Sequence, residues 1–230
     1  MSILALIPAR GGSKGIPNKN LQKIGRNTLL KQTITHAKQS SLIDRIIVST
    51  DSKKIKEEAI RNGAEVPFLR PKKISTSNAT TFQVINHTIE FLKNQNEDLP
   101  EIIVILQPTT PFREKNLIDN SIKKLKLDCA TSVISVSAVK SHPSILFSKY
   151  TKFLVPFDRN FEANTIRQKR KKLYYPNGSV YTFWTKNIQK FNSIYGPKIS
   201  SVIIDEQKYS IDIDTNFELS LANLIQRFLK

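Results

Sequence analysis

A glycine-rich, cationic loop at residues 8–20 carries the residues best suited to chemistry, and it directly follows an apolar run at residues 3–7. A buried strand that ends in such a loop is how an α/β protein presents backbone N–H groups to phosphates. Gly11, Gly12 and Gly15 can adopt positive φ angles and let the backbone approach an anion closely. The loop therefore predicts a phosphate-binding site.

The same loop gathers three positive charges, on Arg10, Lys14 and Lys19. The lysine precedes the last glycine and no Lys-Ser/Thr pair follows it, which excludes a Walker A loop. The G-x-G-x-x-G fingerprint of dinucleotide-binding proteins is also missing. A glycine-rich surface turn is the alternative interpretation, but it leaves the clustered cations unexplained.

Two carboxylates near the C-terminus, Asp212 and Asp214, are separated by a single residue. In a strand, residues two apart point to the same face, so both carboxylates are expected to reach one cation. Their oxygens suit Mg²⁺ (or Mn²⁺), because proteins hold such ions with one or two carboxylates plus substrate phosphates. Alone, this spacing also fits a solvated surface pair. In a chain that carries a phosphate loop, it favours a metal site.

Alternating strands and helices are predicted to position these residues. Predicted strands cover residues 3–7, 45–50, 65–68, 102–106, 131–136, 202–204 and 210–213, and predicted helices cover residues 29–39, 52–62, 80–93, 114–126 and 216–228. This alternation favours a mainly parallel, doubly wound sheet, in which ligands bind at the carboxyl ends of strands. The glycine-rich loop, Asp51 and the segment 107–111 are therefore expected at one edge of the sheet.

The alternation breaks between residues of about 138 and 185, a basic and aromatic stretch with strand-like pieces such as residues 179–184. This stretch is too short to bury a core of its own. We therefore expect one domain over residues 1–230, with this stretch as an excursion from the sheet.

Composition and charge limit the possible classes of protein. The 230 residues carry a formal net charge of +17, which alone would allow a protein that binds nucleic acid. However, lysines are scattered along the predicted helices, and the dense basic run at residues 167–172 lacks the interleaved aromatic residues that base stacking requires. We expect no nucleic-acid partner, and we expect a small anionic substrate to account for part of the charge.

Neither a membrane nor a disulfide is expected. No apolar stretch approaches the roughly 20 residues that span a bilayer. The N-terminus lacks a charged region before its short apolar run, so it predicts a first strand rather than a signal peptide. Cys129 is the single cysteine, which excludes an intramolecular disulfide and fits a cytoplasmic protein.

Six motifs follow one another along the chain: Arg10-Gly11-Gly12-Ser13-Lys14-Gly15-Ile16-Pro17 with Lys19-Asn20, Leu69-Arg70-Pro71, Gln107-Pro108-Thr109, Arg167-Gln168, Pro176-Asn177-Gly178 and Asp212-Ile213-Asp214. Together they resemble the cytidylyltransferases that activate sialic acids and related nine-carbon acids. Two positions depart from the family pattern. Ser77-Asn78 stands where an aspartate is usual, and Tyr175 stands where many sialic-acid members have an arginine.

The resemblance implies a three-layer, Rossmann-like α/β fold of the nucleotide-diphospho-sugar transferase type. It has a mainly parallel central sheet, and a small dimerisation arm protrudes at residues of about 138–185. The nucleotide-binding residues that it implies are Ala9, Arg10, Gly11, Gly12, Ser13, Lys14, Asn20 and Arg70. The catalytic residues that it implies are Lys19, Gln107, Asp212 and Asp214, with both aspartates as metal ligands. The sugar-binding residues that it implies are Gln107, Lys140, Arg167, Gln168 and Tyr181.

The reaction implied by the resemblance transfers CMP from CTP to the anomeric hydroxyl of a nine-carbon α-keto acid sugar and releases pyrophosphate. Sialic, legionaminic and pseudaminic acids all remain open as the acceptor. The resemblance also implies Mg²⁺ (or Mn²⁺) as cofactor and a homodimer with shared active sites, in which Arg167 holds the sugar carboxylate across the interface. Two alternatives remain: a cytidylyltransferase for the eight-carbon acid Kdo, and a basic nucleic-acid-binding protein.

Overall fold

The structure, a computed structural model, describes residues 1–13, 15–157 and 170–228. Within these residues the strands are β1 (Ile3–Pro8), β2 (Lys23–Ile24), β3 (Asn27–Thr28), β4 (Arg45–Ser49), β5 (Ile102–Ile105), β6 (Ser132–Ala138), β7 (Phe147–Tyr150), β8 (Phe153–Pro156), β9 (Tyr174–Trp184) and β10 (Ile199–Ile203). The α-helices are α1 (Leu29–Gln39), α2 (Lys53–Arg61), α3 (Thr81–Asn94), α4 (Leu117–Leu127), α5 (Lys186–Phe191) and α6 (Asn216–Phe228).

Six of these strands form the central sheet, in the order β10-β6-β9-β5-β1-β4. β1 pairs in parallel with β4 and β5, and β10 pairs in parallel with β6. β9 pairs antiparallel with both β5 and β6, so it joins two parallel halves. The prediction of a mainly parallel sheet is confirmed.

Helices cover both faces of this sheet. Ala5 and Ile7 of β1 contribute to a core cluster with α1, α2 and α4, whereas Leu4 and Leu6 contribute to a second cluster with α3 and α5. Alternate residues of a strand point to opposite faces. Because both faces are covered, β1 and β5 are apolar throughout rather than alternating. The fold is therefore the predicted three-layer α/β arrangement.

The prediction that residues of about 138–185 leave the sheet is wrong at its C-terminal end, because β9 lies in the middle of the sheet. The pairing of β9 with β6 shifts between Ile134 and Val136, and residues 177–180 form a bulge there. Asn177 secures the bulge: its Oδ1 accepts a hydrogen bond from Ser135 Oγ at 2.6 Å, and its Nδ2 donates to Ser137 Oγ at 3.0 Å. The Pro-Asn-Gly motif is therefore part of the sheet.

Two shorter predicted strands also differ. Residues 65–68 form one isolated bridge, between Glu65 and Ile47. The strand predicted at residues 210–213 is replaced by a 3-10 turn at Gln207–Ser210 and an irregular segment that leads into α6. The reason is a long-range hydrogen bond, since the Ile213 N–H donates to the Thr109 carbonyl at 2.8 Å instead of to a neighbouring strand.

A small hairpin, β7 and β8, lies within the stretch that was predicted as an arm. Its two strands pair antiparallel from Phe147↔Pro156 to Tyr150↔Phe153, outside the central sheet. Both strands are exposed along their whole length. Its role in dimerisation stays a prediction. None of the helices in the described part of the chain combines the length and the apolarity that crossing a membrane requires.

Candidate functional site

An open cleft of about 500 Å³ lies at the carboxyl ends of β1, β4 and β5, at the edge of the sheet where ligands were expected. The first strand leads directly into its floor through Pro8, and the loop after β5 forms one wall. The residues that line it are Pro8, Arg10, Ser13, Gly15, Lys19, Asn20, Arg70, Ala79, Thr81, Val84, Gln107, Pro108, Thr109, Asp212 and Asp214. Three cations and two carboxylates therefore share one cleft.

The beginning of the glycine-rich loop is tied down by hydrogen bonds within the protein. The Ala9 N–H donates to the Ser49 carbonyl at 2.9 Å, and the Gly11 N–H donates to Asp51 Oδ1 at 2.8 Å. Asn20 donates from Nδ2 to the Arg10 carbonyl at 2.8 Å. The N–H groups of Ala9 and Gly11 therefore bond to the protein itself and are not directed at the cleft.

Two glycines of this loop, Gly11 and Gly15, permit close packing. Among the described glycines the positive φ angles are at Gly25, Gly63, Gly178 and Gly196, so residues 11, 12 and 15 do not use the freedom of φ that glycine offers. A β-carbon at Gly15 would overlap the carbonyl oxygen of Asp214, and one at Gly11 would lie 2.9 Å from Ser52 Cβ. A β-carbon at Gly12 would meet nothing within 4 Å. Gly12 thus borders open space, and the other two permit close contacts.

Lys19 joins the loop to the aspartate segment. Its Nζ donates to Asp214 Oδ1 and to the Ile213 carbonyl, both at 2.8 Å. The lysine side chain is 14% exposed, whereas that of Asp214 is 72% exposed. Lys19 therefore presents a nearly buried ammonium group to an aspartate that is open to the cleft.

Asp212 lies beside Asp214 on the cleft wall. Its side chain is exposed to solvent, although protein lies around it on several sides. Desolvation is the main cause that raises the pKa of Asp212, and the negative charges of Asp214 and Glu218 raise it further. A hydrogen bond from the Thr109 side chain and the charge of Lys19 oppose this shift. The mutual repulsion of the two carboxylates favours a cation between them.

Arg70 is a buried cation at the edge of the cleft, with 6% of its surface exposed. Its backbone N–H donates to the Thr50 carbonyl at 2.7 Å, which places it directly beyond the end of β4. Its Nε and Nη2 have no hydrogen-bond partner in the described residues. Burial is the main cause that lowers the pKa of Arg70; the charge of Arg10 lowers it further and that of Asp51 raises it. Two buried, unpaired N–H groups on a guanidinium are suited to an anion.

Gln107 extends from the loop after β5 and is packed against the β9 bulge. A β-carbon at Gly178, whose φ is +80°, would lie 3.0 Å from Gln107 Oε1. The backbone of the bulge therefore approaches the Gln107 amide closely, and the φ angle of residue 178 favours glycine. The Thr110 hydroxyl donates to the Gly178 carbonyl at 3.1 Å and holds the two segments together.

The structure brings most of the predicted site residues together. Those that line the cleft are Arg10, Ser13, Lys19, Asn20, Arg70, Gln107, Asp212 and Asp214. Three predicted nucleotide-binding residues do not line it: Ala9, which is fully buried, Gly11 and Gly12. Lys14, Arg167 and Gln168 lie outside the described residues.

Two predicted sugar-binding residues lie apart from the cleft. Lys140 lines a neighbouring cavity of about 390 Å³, which Asp212 also borders. Tyr181 is partly buried and packs against the core cluster that contains Ile105 and Phe183. Burial, with smaller contributions from Tyr195 and Asp212, raises the pKa of the Tyr181 hydroxyl to about 12, so it stays protonated at neutral pH.

The start of α3 forms a wall of the cleft that was not predicted from the sequence. Ala79, Thr81 and Val84 line the cleft there. A signal was present, because Thr80 and Gln83 form a capping box that fixes the first turn of α3. A helix that begins at the carboxyl edge of a parallel sheet directs its N-terminus toward a ligand there.

The chain is similar to known proteins along most of its length. A family profile described as "Cytidylyltransferase" matches residues 4–220. The chain is 36% identical to the CMP-N,N'-diacetyllegionaminic acid synthase of Legionella pneumophila, over 96% of this chain and 95% of that protein. It is 30% identical to the N-acylneuraminate cytidylyltransferase of Escherichia coli, over 98% of this chain and 52% of that protein.

A solved structure supports the fold. CMP:2-keto-3-deoxy-manno-octonic acid synthetase, solved in complex with CTP, superposes with a TM-score of 0.73 over 100% of both chains. Its sequence identity to this chain is 13%. At that identity the likeness concerns the arrangement of helices and strands.

Proposed function

The chain belongs to the cytidylyltransferase family, and from this premise we propose that it transfers CMP from CTP to a nine-carbon α-keto acid sugar of the sialic, legionaminic or pseudaminic type. The chain is a nucleotidyltransferase enzyme. In the proposed reaction the anomeric hydroxyl oxygen of the sugar attacks the α-phosphorus of CTP. The bond from that phosphorus to the β-phosphate oxygen breaks, pyrophosphate leaves, and the hydroxyl proton is lost to the surroundings.

The observation that carries this proposal is the buried guanidinium of Arg70. Its two unpaired N–H groups belong to a cleft that also holds Arg10 and Lys19. Leaving a buried donor unpaired costs about 1–3 kcal/mol, more for a charged group, so an anionic ligand that pairs with it gains that free energy. CTP and a sugar carboxylate together carry about five negative charges at neutral pH, which matches such a cleft.

We assign the triphosphate of CTP and the acceptor sugar to residues on different walls of the cleft. Arg10, Ser13, Lys19 and Arg70 would bind the triphosphate, with Lys14 as a further predicted contact. Gln107, on the opposite wall, would orient the sugar. Arg167 and Gln168 stay predictions for the sugar carboxylate. Positioning and charge stabilisation can drive this transfer without a covalent enzyme intermediate.

We propose that Mg²⁺ (or Mn²⁺) is the cofactor and that Asp212 and Asp214 hold it. The chemistry of the donors fits, because two carboxylates lie on one cleft wall and repel each other; burial raises the pKa of Asp212, and the charge of Asp214 raises it further. Two carboxylates plus substrate phosphates are sufficient for Mg²⁺. When bound, the ion supplies charge neutralisation at the phosphates. Lys19 keeps Asp214 paired in the absence of substrate.

We also propose a homodimer built on the β7–β8 hairpin. Tyr150, Phe153 and Leu154 expose between 63% and 72% of their surfaces there, and Phe157 directly follows. A cluster of exposed large apolar side chains is typical of an interaction surface. Light scattering of the wild type and of Phe153→Asp tests this: we expect a dimer and a monomer, respectively. A wild-type monomer at micromolar concentration contradicts it.

We place the reaction in the cytoplasm. Cys129 is exposed and is the single cysteine of the chain. An exposed free thiol is suited to a reducing compartment, where disulfide exchange does not consume it. The location of a fluorescent fusion protein in intact cells tests this assignment, and its amount in the membrane fraction serves as the control.

The function is tested by measuring pyrophosphate release from CTP and Mg²⁺ with separate acceptors. N,N'-diacetyllegionaminic acid is tested first, since that sugar appears in the name of the 36% identical relative. N-acetylneuraminic acid, pseudaminic acid and Kdo complete the panel. We expect release with a nine-carbon acid, lost on adding EDTA and restored by excess Mg²⁺.

Each other outcome has a defined meaning. Release with Kdo alone keeps the reaction and changes the acceptor. Folded protein that is inactive with every acid contradicts the proposal. Steeply salt-dependent binding of RNA or DNA without CTP consumption supports the nucleic-acid alternative instead.

A further inference from the structure

The Arg113 side chain connects the loop after β5 with the β9 bulge, whose Ser179 lies 66 residues beyond Arg113 in the chain. Its Nε donates to the Ser179 carbonyl in the β9 bulge at 2.9 Å, and its Nη2 donates to the Gln107 carbonyl at 2.8 Å. A weaker bond runs from Nη2 to Thr110 Oγ1 at 3.2 Å. Because a guanidinium is planar and its donors are fixed in a fork, these bonds set the distance between the bulge and the Gln107 loop.

Three hydrogen bonds converge on the backbone carbonyl of Gln107. The Gln107 carbonyl accepts from Arg113, from the Thr110 hydroxyl at 3.0 Å and from the Thr110 N–H at 3.3 Å. The Thr110 hydroxyl also donates to the Gly178 carbonyl. The backbone from which the Gln107 side chain extends is therefore held on two sides.

Burying the charged guanidinium of Arg113 costs folding free energy that a purely structural contact would not require. It is 7% exposed, and no carboxylate in the described residues is bonded to it. Burial lowers its pKa to about 9, so the group still carries its charge at neutral pH. Its fourth contact, from Nη1 to Nδ1 of His36 at 3.3 Å, is to a histidine that burial and Arg113 itself keep neutral. An apolar side chain of similar volume often stabilises such a site better than a buried charge does.

We propose that Arg113 is a positioning residue for the acceptor: it fixes the Gln107 loop against the β9 bulge, so that the Gln107 amide meets the sugar in one orientation. This inference rests on the proposed function, in which Gln107 contacts the sugar. Arg113 does not line the cleft in which both substrates are proposed to bind. Its loss should therefore affect the acceptor and spare the nucleotide.

The experiment compares wild type, Arg113→Lys and Asn187→Ala. Lysine keeps the charge but, as a single donor head, cannot span the Gln107 and Ser179 carbonyls. Asn187 is the matched control, because it is also buried and bonds two carbonyls, of Thr131 and Ile194, away from the cleft. Both variants lose buried bonds to the main chain, and only one loses the bridge.

Kinetics, hydrogen exchange and the melting temperature are measured, and Arg113→Ala is added for a rescue test. For Arg113→Lys we expect KM for the sugar to rise at least about tenfold, equivalent to about 1.4 kcal/mol, with KM for CTP within about twofold of wild type. We also expect faster hydrogen exchange in the segments 107–113 and 177–181. Asn187→Ala should lower the melting temperature without either effect. For Arg113→Ala, sub-denaturing guanidinium should restore the sugar KM, and sodium chloride of equal ionic strength should not.

Equal increases in both KM values, or unchanged exchange in the two segments, would overturn the proposal. So would an effect in Asn187→Ala that matches that in Arg113→Lys. The exchange measurement needs no substrate. It therefore decides whether Arg113 holds the two segments even if the wild type proves inactive with every acceptor, which would count against the proposed function alone.

Discussion

Lys19 and Asp214 form an ion pair across the cleft, with Nζ 2.8 Å from Oδ1, although they lie 195 residues apart in the chain. The pair joins the glycine-rich loop, proposed to bind phosphates, to the segment proposed to hold the metal. Since Asp214 is mostly exposed, the pair contributes little to folding stability. It instead keeps an ammonium group where the charges of substrate and metal are expected.

Replacing Lys19 by glutamine should weaken CTP binding more than folding. We expect KM for CTP to rise about tenfold or more, because a nearly buried positive charge is lost beside the triphosphate. The melting temperature should change by no more than a few degrees. Steady-state kinetics and thermal unfolding measure the two effects. An unchanged KM for CTP contradicts the phosphate role.

Asp214→Asn should remove most activity while the fold persists. The amide is nearly the same size but lacks the charge that a divalent cation requires, so we expect kcat to fall at least about a hundredfold. Asp205→Asn is the control, because Asp205 is exposed and does not line the cleft. Full activity of Asp214→Asn would exclude this carboxylate as a metal ligand.

Arg70→Met should separate binding from stability. Removing a buried guanidinium with unpaired N–H groups should leave the melting temperature unchanged or raise it, since the burial cost of the charge disappears. CTP affinity, measured by calorimetry, should fall about tenfold or more because its anionic partner loses two donors. Arg61→Met, at an exposed arginine of α2, should change neither quantity. Undiminished CTP affinity in Arg70→Met would refute the assignment.

Gly15→Ala and Gly12→Ala should differ in stability. The added methyl group at residue 15 overlaps the Asp214 carbonyl, so the free energy of unfolding should fall by about 1–3 kcal/mol. At residue 12 it meets open space and should change stability by less than about 0.5 kcal/mol. Urea unfolding compares the two variants. Equal stabilities would mean that the loop does not pack on Asp214 as described.

His36 should make stability depend on pH. Burial, and then the charge of Arg113, lowers its pKa from 6.5 to about 3. Between these values the unfolded chain binds a proton that the folded chain does not, so the free energy of unfolding falls as the pH drops from 6.5 toward 3. The slope from this group approaches about 1.4 kcal/mol per pH unit.

The variant His36→Asn tests this. Asparagine keeps an acceptor for Arg113 but does not titrate, so the difference in unfolding free energy between wild type and variant should shrink or reverse as the pH is lowered. Urea unfolding at pH 7, 6 and 5 measures the difference. Parallel curves for the two proteins would contradict the depressed pKa.

Local patterns were sufficient for the framework of this fold. The apolar strands β1, β4 and β5 and helices such as α3 and α6 follow from runs and spacings within the segment itself. The residues gathered in the cleft followed from the rule that parallel strands end at one edge. Residues 179–184 were predicted as strand-like, but the place of β9 in the sheet did not follow, because its bulge and its pairing depend on partners on β5 and β6.

Long-range bonds explain the errors at the site. The Asp212–Asp214 segment was predicted as a strand, but Ile213 pairs with Thr109 instead. Gly11 was predicted to offer its N–H to a phosphate, but Asp51, 40 residues away, accepts it. The sequence around Ile213 and Gly11 does not indicate either hydrogen-bond partner. The role of Arg113 is hidden for the same reason, since its main acceptors come from two distant segments.

The place of β9 in the sheet has a consequence for how the chain folds during synthesis. β5 and β6 are complete once residue 138 has been made, yet the strand that joins them spans Tyr174–Trp184. Until then, both edges that will pair with β9 expose unpaired backbone N–H and C=O groups, which can recruit strands from other chains. A fragment that stops before residue 174 should therefore aggregate rather than fold, and the wild-type chain should close its sheet from the middle.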